Sequence, residues 1–73
     1  MNNITAIDVF QLIDRIRHER GLSINALCEN IMDVKTYWRY FQELRIPNTD
    51  VTIKLICKLG LLCSEFFYIL EQQ

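Results

Sequence analysis

SINALCENIMDVKTYWRYF, residues 23–41, holds two helical patterns separated by a short break. Ile24, Leu27, Cys28 and Ile31 share one face at helical spacing, and a second helical pattern begins at Val34. Ser23 and Asp33 precede the two patterns, and each can offer a side-chain oxygen to the free amides of a first turn. The spacing predicts short helices over 24–30 and over 34–43 or 34–44, joined by a turn of about three or four residues that contains Met32. In the second helix Val34, Trp38 and Phe41 recur at i, i+4 and i+7 and are expected to face inward, Trp38 as a core residue with its indole N–H on a carbonyl. Lys35, Thr36, Arg39, Tyr40 and Glu43 are then expected to face outward.

The flanking segments read as helices too. Ile7, Phe10, Ile13 and Ile16, widened by Val9 and Leu12, form an apolar stripe over 6–20. Thr5 and Asp8 form a capping-box-like pair at its start, and Gly21 stops it after Arg15, Arg17 and Arg20, whose charges suit the negative end of a helix. Beyond Pro47, Asn48 can cap a helix over 49–59 that carries Val51, Ile53, Leu55, Ile56 and Leu59, with Gly60 as its stop. A last helix is expected over 64–71. The segment around it, with Leu62, Phe66, Phe67, Tyr68, Ile69 and Leu70, is apolar on more than one face, so it either closes the core or forms a homodimer or heteromer seam. The expected fold is all-α, a compact five-helix domain spanning residues 1–73.

Seventy-three residues suffice for one small core, in which a chain buries about 60% of its unfolded surface. Hydrophobic residues make up 51%, which is globular rather than disordered. No apolar run approaches the length of a membrane span, and the start MNNITAID lacks a secretory signal, so a cytoplasmic location in a bacterial or phage-infected cell is expected. Cys28, Cys57 and Cys63 are odd in number and form no CxxC, which points to reduced, mostly buried thiols rather than disulfides or a zinc site. His18 lies among Arg17, Glu19 and Arg20 and reads as a surface residue. With no nucleophile–base pairing and no glycine loop for phosphate, neither an enzyme, nor a cofactor, nor a small-molecule substrate is expected.

Two short helices about a tight turn constitute a helix-turn-helix, here over about 23–44. The segments IRHERGLSINALCENI, VKTYWRYF, TIKLICKLG and SEFF, with Pro47 between the second and third, resemble the Cro/repressor-type (XRE-like) helix-turn-helix proteins over about 13–67. The run VKTYWRYFQEL is similar to recognition helices of Rgg-like regulators, and the chain's size is similar to that of small phage switch proteins, both Cro-like repressors and antirepressors. The resemblance implies a repressor-like fold and a left-handed turn residue where Met32 stands in place of the usual Gly, at a cost of about 1 kcal/mol. Asp33 stands where the family has an apolar residue, and Leu44 where it has Gly.

The resemblance carries the binding positions onto Val34, Lys35, Thr36, Arg39 and Tyr40, with Glu43 at the far end of the helix. On double-stranded DNA, Lys35 would reach a guanine edge or a phosphate, Thr36 a base, Arg39 either, and Tyr40 a phosphate. The net charge of −1 argues for weak general attraction to a duplex, since phosphate neutralisation drives such binding. Two readings follow: a small transcriptional regulator that binds an operator through the third helix, and an antirepressor that sets the same helix against a cognate repressor protein. A homodimer through the C-terminal helix would assist the first by pairing half-sites.

Overall fold

The computed structural model describes residues 4–42 and 48–73. It contains five helices, α1 (Ala6–Glu19), α2 (Ile24–Cys28), α3 (Val34–Gln42), α4 (Thr49–Lys58) and α5 (Cys63–Glu71), with no strand among the described residues. Each begins close to the expected position because the signals are local. Thr5 Oγ1 accepts from the Asp8 amide while the Asp8 carboxylate accepts from the Thr5 amide at 2.9 Å, closing the capping box of α1. Ser23, Asp33 and Asn48 each accept from the amide three residues on, at 3.0, 2.8 and 2.9 Å, and so cap α2, α3 and α4. At the start of α5, Glu65 accepts from the Leu62 amide at 2.8 Å.

The helices close around one cluster of buried side chains. Phe10, Leu12, Ile13 and Ile16 come from α1, Leu27 and Cys28 from α2, Tyr37 from α3, and Leu55 and Ile56 with Leu59 from α4 and its end. Phe66 and Leu70 close it from α5. Helix α1 packs on α3 and α5, α2 packs on α3 and α4, and α4 packs on α5. The radius of gyration is 11.5 Å, close to the roughly 11 Å of a compact chain this long.

Polar ties at the helix ends fix how these elements meet. The Arg20 guanidinium donates to the Leu59 carbonyl at 2.8 Å, joining the ends of α1 and α4. Lys58 Nζ donates to the Glu29 carbonyl at 3.0 Å, joining the ends of α4 and α2. Such side-chain donors satisfy carbonyls that a helix end leaves open. Gly60 has φ +84, a conformation that favours glycine, and a Cβ there would lie 3.2 Å from the Arg20 guanidinium, which would have to shift by a few tenths of an ångström.

Several sequence expectations need correction. Helix α2 ends at Cys28 rather than residue 30, because the Ile31 and Met32 amides both return to the Cys28 carbonyl, at 2.8 and 3.0 Å. The left-handed residue is Asn30, at φ 65, and Met32 has no positive φ. Asparagine's short polar side chain tolerates that region better than other non-glycine residues, so the chain turns two residues earlier and leaves Met32 to pack, half-buried, against the core. The thiols are not mostly buried either: Cys28 is, Cys63 is half-buried and Cys57 is exposed. The expectations for Glu43, Leu44 and Pro47 lie outside the described residues.

Asn30→Ala should therefore destabilise the protein by about 1 kcal/mol, whereas Asn30→Gly should be nearly neutral. Met32→Gly should destabilise, since it removes a packed side chain and loosens a residue already in an ordinary conformation. Urea midpoints of the three variants check this assignment.

Candidate functional site

Helix α3 is set by one cap and one aromatic cluster. The Asp33 carboxylate is fully exposed and accepts from the Thr36 amide at 2.8 Å, and this bond, followed by attraction to Arg39 and Lys35, holds its pKa below the ordinary 3.8. A negative charge therefore sits at the positive end of α3. Further along, Tyr37 is fully buried, with its ring 4.8 Å from Phe10 of α1. Phe10 also meets Tyr40 at 5.3 Å and Phe41 at 4.8 Å, so three rings of α3 share one ring of α1.

The buried phenol of Tyr37 needs an acceptor and finds one in α1. It donates to Asp14 Oδ1 at 2.6 Å, and the same oxygen accepts from Arg17 Nε at 2.9 Å. Arg17 then donates from Nη1 to the Leu22 carbonyl at 2.8 Å, which ties the α1–α2 turn into the same network. Burial, with the hydrogen bond to Asp14 second, pushes the Tyr37 pKa far above its ordinary 10.0, so the phenol remains a donor. Burial lowers the Arg17 pKa, but the Asp14 bond and charge outweigh it and leave the guanidinium above its ordinary value. No described buried side-chain N or O atom lacks a partner.

This arrangement reverses part of the expected orientation of α3. At about 100° per residue, Tyr37, Phe41 and Val34 fall within roughly 60° of one another and form the inner face. Tyr40 and Trp38 lie on its two borders, and Arg39 lies opposite. Tyr40, expected outward, is half-buried on Phe10. Trp38, expected in the core, is 45% exposed, and its ring contacts among the described residues, with Tyr37 at 6.0 Å and Phe41 at 5.8 Å, are both within its own helix. Phe41 is half-buried as expected, and Val34 is half-buried at the start of the helix.

Of the positions expected to bind, Lys35 and Arg39 are exposed, Thr36 is half-buried, and Val34 and Tyr40 belong mainly to the inner side. Glu43 lies outside the described residues. The outer face consists of Lys35, Trp38, Arg39 and Gln42, and the sequence reading missed Trp38 and Gln42 as members of it. The available signal was Asp14: an acid close to the apolar stripe of α1 requires buried donors, and Tyr37 can supply one where Trp38, one residue on, cannot occupy the same direction.

The rest of the surface is less organised. Cys28 is buried, and burial raises its thiol pKa. His18 is exposed near the end of α1, and no group of three His, Cys, Asp or Glu among the described residues could hold a metal ion. An apolar groove lies among Val9, Ile53, Ile56, Cys63 and Phe67, and Leu62 and Tyr68 are exposed elsewhere around α5. No described helix is long and apolar enough to cross a membrane. No family model, no curated protein and no solved structure matches the chain.

Two outcomes follow from the network and the cap. Tyr37→Phe should cost about 2 kcal/mol in urea unfolding, the loss expected for a hydrogen bond to a charged acceptor. Asp33 has a lowered folded-state pKa, so its contribution is present above 3.8 and disappears as pH falls through the lowered value. Asp33→Asn, which cannot ionise, should therefore lose less stability than the wild type between about pH 7 and about pH 3, measured as the change in urea midpoint.

Proposed function

We propose that α2 and α3 act as a helix-turn-helix of Cro/repressor type, and that the outer face of α3 docks a protein, namely a DNA-binding repressor whose reading surface it covers. The protein would then be an antirepressor, a modulator of repression that does not itself hold an operator. The observation that carries this reading is Trp38, a large aromatic left 45% exposed in the middle of α3 beside two exposed cations. Tryptophan and arginine are the residues most often found as energetic anchors of protein interfaces, while nearby neutral contacts exclude water.

Charge supports the same choice. A duplex is attracted by cations and by the open amides at the start of a helix. Here those amides meet the Asp33 carboxylate, Glu29 is exposed at the end of α2, four residues earlier in the chain, and the chain carries net charge −1. A repressor's DNA-reading surface is basic and would find these two carboxylates complementary, with Lys35 and Arg39 bounding the contact.

The second reading, operator binding, is favoured by one observation: Lys35 and Arg39 are both exposed, one turn apart, on the face a major groove would meet. Electrophoretic shifts separate the two. On DNA upstream of its own gene, the protein alone should give no complex at micromolar concentration. Mixed with the helix-turn-helix repressor encoded nearest to it, it should release that repressor from the DNA. Trp38→Ala should weaken the protein–protein complex at least tenfold, equivalent to roughly 1.4 kcal/mol. A salt-sensitive complex of this protein with the duplex would instead carry operator binding, and failure of both assays would remove both readings.

A further inference from the structure

Helix α3 offers the core a choice. Tyr37, Trp38, Tyr40 and Phe41 are four aromatic residues within five positions, so more than one roll of the helix about its axis would bury a comparable apolar area against Phe10. Burial is non-directional and discriminates weakly among such rolls. A hydrogen bond is directional, and a buried donor left without an acceptor is destabilising. Asp14 supplies the acceptor. It accepts from the Tyr37 phenol at 2.6 Å while Arg17, only 14% exposed, holds the same carboxylate oxygen from the other side and is itself anchored on the Leu22 carbonyl.

We propose that Asp14, on α1, is a positioning residue for the α3 face: it selects the roll in which Tyr37 is inside, and thereby sets Trp38 and Arg39 outside. Its functional weight rests on the reading of that face as the binding surface. Rolling α3 by one residue toward Trp38 would carry the phenol away from its acceptor and leave the carboxylate with Arg17 alone. The specificity of the outer surface is thus decided by a residue of another helix that need not touch the partner.

Trp38 is the only tryptophan and reports the roll directly. Fluorescence of the full chain, with no partner present, tests the assignment. Asp14→Leu removes the acceptor and strands the phenol, so α3 should turn to release Tyr37 and take Trp38 inward, seen as a blue-shifted emission and weaker acrylamide quenching. The double variant Asp14→Leu, Tyr37→Phe removes the stranded hydroxyl and should move both signals part of the way back, to those of Tyr37→Phe alone, since neither roll is then penalised by a buried unpaired donor. A residue that only adds stability would lower the urea midpoint without moving either signal in the folded protein. Wild-type emission and quenching in folded Asp14→Leu would overturn the assignment, as would failure of the double variant to move them part of the way back. Should Asp14→Leu not fold, Tyr37→Phe alone gives the comparison: a partial blue shift supports the assignment, and no shift in either signal overturns it. Because no partner takes part, a responsive Trp38 in a protein that releases no repressor keeps the positioning role and removes the antirepressor reading. An unresponsive Trp38 in a protein that does release one leaves the reverse.

Discussion

A phenol buried in a small core must have an acceptor, and in this protein that acceptor is the Asp14 carboxylate on the neighbouring helix. The requirement runs through the molecule. Asp14 is held by Arg17, and Arg17 is held by the Leu22 carbonyl in the turn before α2. A single chain of hydrogen bonds thus links α1, the α1–α2 turn and α3, the parts that together frame the proposed binding face. Phe10 provides the complementary apolar anchor, meeting three rings of α3 without fixing which of them is deepest.

This division of labour between burial and hydrogen bonding explains the surface. In a domain of this size the core cannot absorb every aromatic of an aromatic-rich helix. Whatever is not matched to an acceptor or a ring on α1 remains outside, and Trp38 is that residue. Lys35, Arg39 and Gln42 lie on the same side, while the Asp33 carboxylate caps the end of the helix that would otherwise offer its amides to an anion. The combination of an exposed aromatic, two cations and an anionic cap suits a protein surface better than a phosphate backbone.

Much of the architecture was legible in the sequence because the signals that start and stop helices are local. Thr5 with Asp8, Ser23, Asp33 and Asn48 each act on amides three residues away, and Gly21 and Gly60 take the positive φ that ends a helix. The turn after α2 was misread for an equally local reason. A family habit places glycine at the position of Met32, but the chain already had an asparagine able to turn two residues earlier. The candidate face was legible in part: Lys35 and Arg39 lie outside as their charge requires, whereas Tyr40 and Trp38, on opposite borders of the inner face, could not be sorted by periodicity.

Caps, glycine stops and apolar spacing act within a few residues, so the order of amino acids was enough to place the helix starts and to name most of the core residues of α1, α4 and α5. The roll of α3 was settled by packing against α1. Neighbouring aromatics differ too little in hydrophobicity to choose among themselves. The choice is made by a carboxylate that lies 23 positions away along the chain and 2.6 Å away in space.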